Sequence, residues 1–111
     1  MSKKYVEICF DEIERETEKA ILVSDGWLPK SQLIVVLNNE YYDTSTKTVK
    51  EIKEKSPYCL LCPLWLHMKN NISYKSSFEL DKWLDSRNTD MRTTIEYKRL
   101  IAVTYKEYKE A

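Results

Sequence analysis

Cys59-Leu60-Leu61-Cys62 has the C-x-x-C spacing of metal and redox turns, His67 follows five residues later, and Cys9 offers a distant fourth ligand. Structural zinc requires four nitrogen or sulfur ligands in a tetrahedral array. Here leucines separate the two cysteines and Pro63 follows them, whereas metal-binding turns are polar or glycine-rich. On a strand, Cys59 and Cys62 would also point to opposite faces. The redox form of the motif needs a thioredoxin-like βαβ context, which the chain does not offer. Buried structural cysteines, with no metal and no cofactor, are therefore the expectation. His67 is the only histidine, and no Ser or Cys nucleophile at a recognisable elbow marks it as a base. Carboxylates are plentiful at Glu7, Asp11, Glu12, Glu14, Glu16 and Glu18. General acid–base chemistry needs two carboxyls in different environments, and a solvated acidic run gives them the same one. Asp11, Glu12, Glu18 and Lys19 have the residue types of a nuclease metal site, but no other feature supports that reading. Catalysis is not expected.

The remaining residues of interest are binders. Trp27, Tyr41, Tyr42 and Tyr74 share a stretch with Lys30, Lys47, Lys50, Lys53 and Lys69. These are the ingredients of a small β-barrel that stacks single-stranded bases beside a cationic groove. Against that, large aromatics supply most of a small domain's burial, which places Trp27 and Trp65 in the core. Trp83, Tyr97, Tyr105 and Tyr108 are of the types that dominate interface hot spots and could serve a partner or a homodimer, or simply dock a terminal helix. Charge is locally uneven: the six acids from Glu7 to Glu18 stand against Arg15 alone, while Arg92, Lys98, Arg99, Lys106 and Lys109 outnumber Glu96 and Glu107. Three surfaces thus remain as candidates for a protein or protein–nucleic-acid partner. They are the acidic stretch, the polar loop flanked by Tyr41, Tyr42 and Asp43, and the segments after Ser76.

The elements that position these residues must come from 111 residues, the length of one domain. Eighteen basic and eighteen acidic residues cancel, so no global field steers the chain toward nucleic acid. A single glycine leaves nothing from which to build a phosphate-cradling loop or a dinucleotide fingerprint. An odd number of cysteines, no leader-like apolar start and no membrane-length apolar window point to the cytoplasm.

Tyr5–Phe10 reads as a strand, and Asp11–Lys19 as a helical turn or the end of a long hairpin. Ala20–Val23 is a continuous apolar run suited to a strand covered on both faces. Asp25-Gly26 then signals a hairpin returning through Trp27-Leu28 to Pro29. Ser31 is placed to cap a short turn before a strand at 33–37. Tyr41 and Tyr42 with Val49 and Ile52 suggest a second hairpin, and 58–61 a further strand. Residues 63–69 form a short helix with Pro63 first. Ser76 and Glu79 have capping-box spacing before a helix that breaks at 87–90. Asp90 then caps a second helix with its stripe at Tyr97, Leu100, Ile101, Thr104, Tyr105 and Tyr108. A strand over 93–103 competes with that helix, because Thr, Ile, Tyr and Val are good β formers. The expected fold is α+β: a small, mostly antiparallel sheet or partial barrel with a short helix (1–73), then a C-terminal helical extension (74–111).

The strings Lys19-Ala20-Ile21-Leu22, Trp27-Leu28-Pro29-Lys30-Ser31-Gln32 and Pro63-Leu64-Trp65-Leu66 resemble a group of small phage and prophage accessory proteins with the outline "KAxL … WxPKSQ … PxWL". The resemblance covers about residues 5–72. It implies a compact β-rich core closed by one short helix, encoded on a mobile element in a bacterial host, and it carries no catalytic residues. Small phage proteins without active sites commonly occlude a host machine, anti-CRISPR inhibitors being the best-known example. That makes inhibition of a host nucleoprotein complex the leading functional expectation. A single-stranded nucleic-acid-binding accessory protein of replication or recombination is the alternative.

Overall fold

The computed structural model describes residues 3–8, 10–24, 26–70, 76–92 and 98–110. It is an α+β fold built on a curled antiparallel sheet, an open half-barrel. Strand β1 (Lys4–Ile8) pairs with β7 (Pro57–Pro63), which pairs with the long β5 (Ile34–Asp43). The other edge of β5 carries β9 (Lys98–Thr104). Beyond β7, the tip of β5 continues as a hairpin with β6 (Thr48–Glu51). The two-residue β8 (Phe78–Glu79) closes the far side against β1. A separate three-stranded sheet is formed by β2 (Arg15–Glu16), β3 (Ala20–Val23) and β4 (Gly26–Pro29).

Period-two burial explains the layering. Val6, Ile8, Val35, Leu37, Leu60 and Cys62 face one side of the large sheet, where they meet Ile21, Val23 and Leu28 of the small sheet. Leu66 of α1 (Leu64–Asn70) and Tyr105 of α3 (Tyr105–Glu110) complete that core. The intervening residues Tyr5, Val36, Cys59, Leu61 and Leu100 face the other side, beneath Trp83 of α2 (Leu80–Arg92). A sheet covered on both faces needs near-continuous apolar strands, and Cys59–Cys62 is such a run. Register slips at Val36/Leu37 and Asn38/Glu40 bend β5 and curl the sheet. At the bend, the Asn38 carboxamide donates to Ser56 Oγ at 2.9 Å, fixing the link between β6 and β7.

Both predicted hairpins form. In the first, Gly26 pairs with Val23 at φ 111°, a conformation that favours glycine. Asp25 lies outside the described residues. Of the predicted strand Tyr5–Phe10, residues 5–8 belong to β1, Phe10 begins a 3-10 turn that runs to Glu12, and Cys9 lies outside the described residues. Ala20–Val23 is covered on one face only: Ile21 and Val23 are buried, while Ala20 and Leu22 are half-buried. The turn Lys30–Gln32 has no side-chain cap, so Ser31 does not play that part.

The C-terminal region departs furthest from expectation. Glu79 belongs to β8, opposite Lys4, and the helix starts at Leu80, so no capping box forms. Helix α2 runs without a break through 87–90. Lys98–Thr104 is a strand, in agreement with the competing reading over its part at 98–103, because it completes the open edge of β5 and divides its apolar residues between both cores; residues 93–97 lie outside the described residues. Residues 76–92 and 98–110 therefore extend the sheet as well as adding helices. Asn88 of α2 turns its carboxamide onto that outer edge: Leu100 N–H donates to Oδ1 at 2.7 Å, and Nδ2 donates to Leu100 C=O at 3.2 Å.

Candidate functional site

The outer face of the small sheet carries a cross-strand row. Arg15 lies opposite Leu22, and Leu22 lies opposite Trp27. Strand alternation sends Leu28 into the core and leaves Trp27 outside, 46% exposed. This overturns the expectation of a core residue, and Trp65 is likewise 52% exposed. In each case a neighbour occupies the inward position: Leu28 in β4, and Leu66 with His67 in α1. Trp83 is the converse case: of the two roles open to it, partner surface or docking onto the body, its burial fits the second, since it is 9% exposed and stacks on Phe78 at 5.1 Å.

Beside the small sheet, a cleft of about 610 Å³ opens between the β2–β3 turn, the Pro29–Ser31 corner and α3. Lys19, Lys30, Lys106 and Lys109 line it, with Glu18 and Glu110 at the same wall. Its fixed point is Glu16. The Tyr105 hydroxyl donates to Glu16 Oε1 at 2.5 Å, and Lys30 Nζ and Lys109 Nζ approach the same carboxylate at 3.7 and 3.6 Å. Both ammonium groups also lie over the Tyr105 ring, 5.4 and 5.6 Å from its centroid. The Tyr105 hydrogen bond, with Lys109 and Lys30 nearby, holds the Glu16 carboxyl below its ordinary value against a smaller effect of burial. Burial, followed by the Glu16 carboxylate, pushes the Tyr105 phenol well above its own.

The predicted acidic stretch does not form one face. Glu7 is exposed on β1, Asp11 and Glu12 belong to the 3-10 turn, and Glu14, Glu16 and Glu18 follow the edge of the small sheet. Tyr41 is exposed and Tyr42 half-buried near the β5–β6 tip. There Asp43 accepts from Lys50 at 2.9 Å and from the Ser45 hydroxyl and backbone N–H, which together hold its carboxyl well below the usual range. Lys47 adopts φ 56° in this loop, and Lys53 lies at the exposed start of the link to β7. The lysines proposed for nucleic acid are thus split between the hairpin and, through Lys30, the cleft. Tyr105 is buried and Tyr108 packs on Phe10 at 6.2 Å, so both hold α3 to the body rather than offering free rings. Tyr74, Tyr97 and Cys9 lie outside the described residues.

Cys59 and Cys62 are buried on opposite faces of the sheet, so the C-x-x-C pair cannot converge on one ion. Among the described residues, no group of three His, Cys, Asp or Glu side chains could hold a metal, and no helix is long and apolar enough to cross a membrane. The cleft went unnoticed in the sequence. Its available signal was Lys106 and Lys109, three residues apart on a short helix, with the Pro29-Lys30-Ser31 corner; nothing local joins the two. Comparison with models of known families, with curated proteins and with solved structures gives no match.

Proposed function

We propose that the protein acts by binding rather than catalysis, and that its contact surface is the outer face of the small sheet around Trp27. The observation that carries this is an indole left 46% exposed on the outer face, in one cross-strand row with Leu22 and Arg15. Trp and Arg with an adjacent apolar side chain are the residue types that anchor interfaces. In its sharpest form, the partner is a host protein–nucleic-acid complex that a mobile element gains from blocking. The resemblance of the strings around Ala20, Trp27 and Trp65 to phage accessory proteins supports that choice. The test adds the protein to a reconstituted RNA-guided effector of a bacterial host and measures target-DNA binding. The reading expects loss of binding with the wild type and recovery with Trp27→Ala; no loss with the wild type refutes it.

A second reading, a single-stranded nucleic-acid-binding accessory protein, is favoured by the exposed Trp27 ring, a surface on which a base can stack, with Arg15 in the same row two strands away across Leu22. Zero net charge ranks it second. A labelled oligonucleotide titrated at low and moderate salt decides: this reading expects binding that weakens steeply with salt. No binding at low salt eliminates it.

A further inference from the structure

We propose that the lysine-lined cleft beside α3 binds a small ligand that carries a single oxyanion on an apolar body. The site is distinct from the Trp27 face and does not depend on the function proposed above. Its volume, about 610 Å³, falls within the range of small-molecule sites. The Pro29 ring, the Tyr105 side chain and the methylene stems of the lysines give it apolar walls.

Charge sets the ligand class. Lys30 and Lys109 are already paired with Glu16 and are held over the Tyr105 ring. Among the described residues, no carboxylate lies within 4.0 Å of Lys19 or Lys106, although both line the cleft. Four lysines against Glu16, Glu18 and Glu110 leave one uncompensated positive charge. That balance suits one carboxylate, sulfonate or phosphodiester group, whereas a polyphosphate would bring several negative charges to a site that compensates one. The Glu16–Tyr105 bond keeps two of the ammonium groups in place before any ligand arrives, so less ordering is required on binding.

The test uses the full chain and four probes sharing one aromatic body: phenylacetate, methyl phenyl phosphate (a singly charged diester), benzyl alcohol and benzylamine, followed by amide chemical shifts. Phenylacetate is expected to bind with a Kd of about a millimolar, the range for ten non-hydrogen atoms. It should shift Lys19, Ser31 and Lys106. Stronger binding of methyl phenyl phosphate than of phenylacetate would identify the oxyanion as a phosphodiester; the reverse order would identify it as a carboxylate, and either supports the proposal. The double variant Lys19→Gln/Lys106→Gln should weaken binding about tenfold. Both side chains are exposed, so its thermal melt should match the wild type and show that the variant folds. Benzyl alcohol or benzylamine binding as well as the anions, no shift with either anion, or full affinity in the double variant would each overturn the proposal. Trp27→Ala should leave cleft binding unchanged, so failure here is separable from failure of the Trp27 reading.

Discussion

Asn88→Ala should unfasten the outer edge of the sheet. The Asn88 carboxamide bonds both backbone polar groups of Leu100, accepting from its N–H at 2.7 Å and donating to its C=O at 3.2 Å. Leu100 is 2% exposed, so removing the amide strands one donor and one acceptor against the α2 layer. An unsatisfied buried group costs about 1–3 kcal/mol. Asn88 is itself half-buried, which lets water reach part of the gap and favours the lower half of that range. Alanine also improves helix propensity by about 0.6 kcal/mol, an opposing effect. Two stranded groups at about 1–2 kcal/mol each, less that gain, leave a net destabilisation of about 2–3 kcal/mol. With an unfolding entropy of about 2.1 cal/mol/K per residue, this 111-residue chain should lose about 9–13 °C in Tm. Calorimetry gives the shift, and hydrogen exchange should show the Leu100 amide losing more protection than other β9 amides. Thr89→Ala, an exposed neighbour on the same helix, is the control and should change stability by less than about 0.5 kcal/mol. A Tm loss for Asn88→Ala no larger than the control's would refute the reasoning.

Other perturbations separate surface from core. Trp27→Ala should alter stability by less than about 0.5 kcal/mol in urea unfolding while abolishing partner binding. Trp83→Ala should cost about 3–5 kcal/mol in the same measurement, because it empties the layer between Phe78 and Tyr58. Glu16 is held below its ordinary value of 4.5, so its contribution is complete above that pH and is lost as pH falls below it. Tyr105→Phe should therefore flatten the acid limb of the Tm–pH profile. Tyr105 itself is raised, so its contribution is complete below its ordinary value of 10.0 and is lost as pH rises beyond it. The same variant should accordingly flatten the alkaline limb. Asp43→Ala should speed exchange of the Ser45 amide, which donates to Asp43 Oδ1 at 2.9 Å, without moving amides of β1 or β7.

The elements legible in the sequence were those specified by neighbours. Gly26 announced the first hairpin, the paired tyrosines and Val49 the second, and Pro63 the short helix. What escaped depends on distant partners. Residues 87–90 are polar enough to read as a helix break, yet the Asn88 carboxamide is used to bond the backbone N–H and C=O of a residue twelve positions away. Lys98–Thr104 has helical spacing and β-forming residues alike, and only the vacant edge of β5 decides between them. Indole burial could not be read from residue type either, since Trp27 and Trp83 differ only in which side of their element faces the sheet. The cleft escaped for the same reason: Glu16 and Tyr105 meet across eighty-nine residues of chain.

The opposed cysteines of β7 have a further use. Cys59 lies under α2, while Cys62 lies beneath the small sheet and α1, although only two residues separate them. In a Cys9→Ser background, each thiol can react with a disulfide reagent only when its own covering layer opens. The two labelling rates therefore clock two separate breathing motions from one strand. Equal rates would mean that the layers part together, as one cooperative unit; unequal rates would show which layer loosens first. A ligand in the cleft beside α3 should slow Cys62 and leave Cys59 unchanged if the layers move independently.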